Sequence, residues 1–211
     1  GDAVTASASG TFASKNVGTG IAYNVGVALA GIDAGNYQIS GGSSYAGSNG
    51  VITQLNSVTY TGPNSGGKWS NPLNWTTTGT SAIGAIPDLA NVANVVLPSG
   101  KSVIYDDTVQ GPVISTLANS GNLTLDFASD TSIPLVINGV GSLTIAGSGV
   151  TTLTGNNSYT GASILNAGTH LIAGSNNAIG SGLITSNGTN LSPAIFSTSS
   201  QQNLIDSSIC P

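Results

Sequence analysis

Beyond residue 90 the chain alternates short apolar runs with small polar breaks. Val103-Ile104-Tyr105, Leu123-Thr124-Leu125, Leu143-Thr144-Ile145, Ser163-Ile164-Leu165 and Leu183-Ile184-Thr185 start about 20 residues apart. A second series lies between them: Val95-Val96-Leu97, Val113-Ile114-Ser115, Leu135-Val136-Ile137, Thr152-Leu153-Thr154 and Leu171-Ile172. Turn formers divide the runs, as in "PSGK", "NSGN", "GNNS" and "GSNN". Runs of three with polar flanks read as strands, because successive side chains on a strand point to opposite faces. A β-sandwich would also space strands by 8 to 12 residues, but it has no reason to hold two series to one long period. Stacked coils do. The pattern therefore predicts an all-β protein, a right-handed parallel β-helix (solenoid) over 69–211 with about five coils of roughly 20 residues. Leu123, Leu143, Ile164 and Leu183 are expected to stack on one inward face.

The first part reads differently. Residues 1–58 carry longer alternation, as in Ile21, Tyr23, Val25 and Val27, followed by a "DAGNY" turn. They predict a small β-rich module. The stretch 59–68, rich in Gly and Pro, reads as a linker or tight crossover.

Composition agrees with strands rather than disorder. Charged residues are only 5% while hydrophobic residues are 39%, so the chain can bury a core that a disordered segment lacks. There is no Arg, and Lys15, Lys68 and Lys101 are the only basic residues apart from His170. With a net charge of −5, nucleic acid is excluded as a partner, since phosphates require clustered cations. No apolar run reaches the ~18 residues of a spanning helix, so no membrane insertion is expected. The start, "GDAVTASASG", has no basic and apolar leader. An exported parent would carry its signal upstream, and this sequence would be a fragment of it.

Three segments resemble known families. "GTFASKNVGTGIAYNVGVALAGIDAGNYQIS" is similar to the YDG-type repeats of large bacterial adhesins, through "KNVGTG" and "DAGNY". "LTGNNSYTGASILNAGTHLIAG" resembles the autotransporter-associated β-strand repeat: Leu153, Gly155, Asn157, Tyr159, Gly161, Asn166, Gly168 and Thr169 match, while His170 stands in place of Leu. "GGKWSNPLNWTTTG" resembles the opening of β-helical segments in such proteins. Together they resemble the C-terminal part of a filamentous-haemagglutinin-type adhesin of the two-partner secretion route. The resemblance implies a non-enzymatic, secreted surface or biofilm fibre, a cell-proximal stalk held at the bacterial outer membrane. Its partners would be an outer-membrane secretion pore and host or matrix polysaccharide, with no cofactor.

Candidate chemistry is sparse. Asp106 and Asp107 are adjacent and face opposite sides of a strand, so they do not converge as an acid and base pair must. No spaced run of Asp suggests a calcium loop. His170 has no nucleophile elbow to serve. Trp69 and Trp75, with Tyr60 and Tyr105, suit either an exposed platform for sugar rings or a plug for the open end of the solenoid, and sequence leaves both open. N-x-[ST] sequons stand at Asn74, Asn122, Asn156, Asn187 and Asn190. Cys210 is the single cysteine. The resemblance implies that it pairs with a second cysteine downstream in an anchoring loop. The alternative to a stalk is a carbohydrate-binding or lyase-like β-helix acting on surface or matrix polysaccharide.

Overall fold

The computed structural model describes residues 1–77, 86–109, 111–189 and 192–198. The chain divides into two units, Gly1–Gln54 and Leu55–Pro211.

The first unit is one antiparallel sheet. β1 (Thr5–Phe12) and β3 (Ser44–Ile52) flank the long β2 (Gly18–Ala30). The register of β2 against β3 shifts between Thr19 and Tyr23, where Gly20 adopts a φ of 69°. That conformation is cheap only for glycine. The "DAGNY" segment forms a short 3-10 turn, Ala34–Asn36. It is tied back to the N-terminus, with the Ala3 N–H donating to Asp33 (2.8 Å) and the Tyr37 hydroxyl donating to Asp2 (2.6 Å).

The second unit is a parallel β-solenoid. The chain enters through β4 (Leu55–Tyr60), β5 (Gly67–Lys68) and β6 (Trp75–Thr77). It then winds through β7 (Val92–Leu97), β8 (Ser102–Asp106), β9 (Thr116–Asn119), β10 (Asn122–Asp126), β11 (Thr131–Ile133), β12 (Ile137–Asn138), β13 (Ser142–Ile145) and β14 (Val150–Leu153). The last described coils hold β15 (Ser163–Leu165), β16 (His170–Ala173), β17 (Ile184–Ser186) and β18 (Ile195–Thr198). Among the described residues these strands build three faces: β5-β8-β10-β13-β15-β17, β11-β14-β16-β18 and β6-β4-β7-β9-β12. All pairings are parallel except that of β6 with β4. Val103, Leu123, Leu143 and Ser163 sit in one register, as do Tyr105, Leu125, Ile145 and Leu165. The core lies inside the coil and is aliphatic along most of its length.

Four expectations need correction. The stretch 59–68 is no linker: Tyr60 belongs to β4, which pairs with β7, and Gly67–Lys68 pair with β8. Its glycines serve a tight corner, since a Cβ at Gly62 or Gly67 would lie 2.5 and 2.4 Å from the Tyr60 hydroxyl. The second strand series is really two. Val95 and Leu97 belong to one face and Thr152 and Ile172 to another, while Val113-Ile114-Ser115 is not a strand. Ile164 pairs with Thr144 on the outward row, and its neighbour Ser163 takes the inward position. Leu183 is 81% exposed because the last rung slips by one residue, pairing Ser163 with Ile184.

Candidate functional site

The two tryptophans are fully inside. Trp69 and Trp75 are 0% and 1% exposed, and their indole N–H groups donate to the carbonyls of Pro87 (2.7 Å) and Trp69 (2.8 Å). Ring contacts run Tyr60–Trp75 (5.3 Å), Trp75–Trp69 (4.9 Å), Trp69–Tyr105 (5.1 Å) and Tyr105–Phe127 (5.0 Å) between centroids. These spacings are those of favourable edge and offset contacts. The four residues considered as a sugar platform are therefore a core ladder filling the first coils, and burial pushes the Tyr105 phenol up to about 12. A platform for sugar rings needs exposed ring faces, which this burial removes.

Beside the ladder, Lys68 on β5 donates to the Asp106 carboxylate on β8. Burial alone would raise the Asp106 carboxyl. The Lys68 ammonium and the Thr108 hydroxyl and N–H outweigh it and hold Asp106 below the usual carboxylate range. The same contact raises Lys68. Asp107 accepts instead from the Ala128 N–H at 2.7 Å. Asp106, Asp107 and Asp126 line one shallow hollow of about 330 Å³. Among the described residues no set of three His, Cys, Asp or Glu side chains is placed to hold a metal. A second, open groove of about 550 Å³ crosses successive coils past Asn64, Lys101, Ser102, Asn122 and Ser142. Here the Lys101 ammonium donates to the Gly62 carbonyl, and Asn122 accepts from Ser142 (2.9 Å) and Thr144 (3.1 Å).

The polar side chains that matter most link one coil to the next. Buried Asn157 accepts from the Ile137 N–H (2.7 Å) and donates to the Ala178 carbonyl (2.5 Å), so one amide bridges the coils on either side. Buried Asn119 donates to the Ser142 carbonyl (2.9 Å) and accepts from the Gly121 N–H (3.1 Å). The Tyr159 hydroxyl meets Ser163 at 2.7 Å within the core, which explains a serine on the inward row. Gly121, Gly141, Gly161 and Gly182 form a column at one corner. A Cβ on Gly141, Gly161 or Gly182 would come within 2.0–2.4 Å of the carbonyl of the preceding column member. The family-like motif thus has a mechanical content: Leu153 and Tyr159 fill the core, Asn157 stitches coils, and Gly161 lets them close up. Sequence reasoning matched Asn157 to a pattern without assigning it this task and passed over Asn119. The recurring glycines 121, 141 and 161 were the available signal.

His170 lies on β16 with its Nε2 3.0 Å from the Ser197 hydroxyl. Among the sequons, Asn74 is 5% exposed and donates to the Lys68 carbonyl, whereas Asn156 and Asn187 are exposed. Cys210 and Asn190 lie outside the described residues.

Residues 1–47 match the family model of the YDG domain. No curated protein and no solved structure matches the chain significantly. A YDG-type repeat followed by a parallel β-solenoid is compatible with a structural or adhesive role.

Proposed function

We propose that the chain is a non-enzymatic structural and adhesive segment of a secreted bacterial surface or biofilm adhesin of the filamentous-haemagglutinin type. It would act as a cell-proximal stalk, exported through an outer-membrane pore by the two-partner route, with host or matrix polysaccharide as its external partner. The observation that carries this reading is where the polar side chains between coils go. Asn119 and Asn157 link adjacent coils, and the charged pair Lys68–Asp106 joins β5 to β8. Such an arrangement makes a self-supporting rod from coils too thin to fold alone. Antibodies raised against the chain should label intact cells of its source, and surface proteolysis should remove the label. Intact cells that stay unlabelled while lysed cells react would sink the proposal.

The open polar groove favours the second reading, a carbohydrate-binding or lyase-like solenoid. Incubation with a polysaccharide panel separates the two. A stalk releases no sugar or unsaturated product, whereas turnover abolished by Asp106→Asn or Asp107→Asn would establish an enzyme.

A further inference from the structure

The sheet of the first unit has two unlike faces. Directly paired residues share a face, and Phe12 pairs with Tyr23, which pairs with Gly47, while Val25 pairs with Tyr45. Val27 and Leu29 continue this apolar face by the two-residue period of a strand. The opposite face presents Ser7, Ser9 and Thr11. Phe12 is 49% and Tyr45 42% exposed, and among the described residues of this unit only Gly50 is buried.

The apolar face is also flattened. A Cβ on Gly47 would lie 2.5 Å from the Tyr23 ring, and one on Gly50 would lie 2.4 Å from the Phe12 ring. The two rings therefore lie across the neighbouring glycines, 6.2 Å apart, instead of standing up from the sheet. Flat apolar faces pack on one another about 10 Å apart, and a stable domain needs two layers. The three strands described here supply one such layer, and Gly50 is the one residue it buries.

We propose that this face is a self-association surface, on which two copies of the chain meet through Phe12, Tyr23, Val25 and Tyr45. Area and charge both favour a second copy as the occupant. Three strands of this length span roughly 14 Å by 27–43 Å, so pairing two such faces removes on the order of 1,000 Å² from water, where specific interfaces begin. β1, β2 and β3 contain no charged residue, so Phe12, Tyr23, Val25 and Tyr45 meet their copies uncharged despite the net charge of −5. The nearest carboxylates, Asp2 and Asp33, lie off the strands and are held by Tyr37 and the Ala3 N–H. The pairing is isologous, each face being its own complement.

Sedimentation equilibrium of the full chain tests this, with reductant present so that Cys210 cannot link two molecules. The wild type should pass from 20.6 kDa toward twice that mass over the micromolar range. Val25→Asp should weaken the dimer at least tenfold. Tyr45→Ser, at an exposed position that keeps the backbone ladder, should weaken it measurably as well. Ser7→Asp, on the polar face, should leave it unchanged. A wild type that stays monomeric throughout, with the face covered otherwise, overturns the proposal. So does a dimer that survives both Val25→Asp and Tyr45→Ser, or one that Ser7→Asp disrupts equally.

Discussion

The two units spend their aromatic residues in opposite ways. In the solenoid Tyr60, Trp69, Trp75, Tyr105, Phe127 and Tyr159 are buried and Phe196 is half-buried; in the first unit Phe12, Tyr37 and Tyr45 are 42–49% exposed and Tyr23 is half-buried. Both units are built of β-strands. What differs is whether the strand has a neighbour across the core. A coil supplies its own opposite wall, so every inward side chain meets another. A single sheet supplies no opposite wall of its own, and its apolar side chains stay half-exposed. Burial is thus a property of closure rather than of sequence hydrophobicity, and the same contrast should govern how each unit answers to mutation.

The largest effect is expected from a charge placed inside. Leu143→Asp buries an unpaired carboxylate at a position that is 0% exposed, which should cost several kcal/mol and abolish cooperative unfolding of the solenoid. Val25→Asp, on the half-exposed sheet, should leave the solenoid's melting unchanged. Both tryptophans are buried in the solenoid, so their emission should be blue-shifted and report that unit alone. Loss of the emission shift in Val25→Asp would break the contrast.

A smaller effect comes from glycine. Gly141→Ala puts a methyl 2.4 Å from both the Asn119 side chain and the Gly121 carbonyl and should cost about 2–4 kcal/mol. Gly26→Ala in β2 meets only the Ser9 carbonyl at 4.0 Å and should be near neutral. Thermal melts of the pair decide the point.

A pH titration sharpens the same comparison. Tyr105 ionises near pH 10 when unfolded and at about 12 when folded, so its contribution is complete below pH 10 and is lost as pH rises to 12. The tryptophan-monitored midpoint should fall in that window, and less steeply in Tyr105→Phe. At the other end Asp106, held low, contributes above about pH 4, and that part is lost on further acidification.

The smallest effect is a gain. The Thr151 hydroxyl is buried with no hydrogen-bond partner, so Thr151→Val should raise stability by about 1 kcal/mol. A melting temperature that falls would show that the hydroxyl is satisfied after all.

The coil repeat was readable because Val103, Leu123 and Leu143 keep one period in one register. The period could not tell the two remaining faces apart, since both place short apolar runs between the same pair of strands. It also failed at Ser163, where the Tyr159 hydroxyl satisfies a polar side chain in an inward position. The residues around Gly62 and Gly67 looked like a linker because a corner packed against Tyr60 and a loose crossover both call for glycine. For Trp69 and Trp75 the residue type fixed an aromatic cluster but not its side of the wall. Asn119 stayed unnoticed because its partners are backbone groups, one of them in another coil.

The reversed strand β6 gives the rod a direction. A further rung of the parallel coil would have to run in the sense of β4, and on this face the outer edge of β4 is taken by a strand of opposite sense that begins at the buried Trp75. That end acts like the stop of a zip fastener. New coils settle away from it, and under a pull along the axis the peeling should begin on the side of β17 and β18 and reach the tryptophans last.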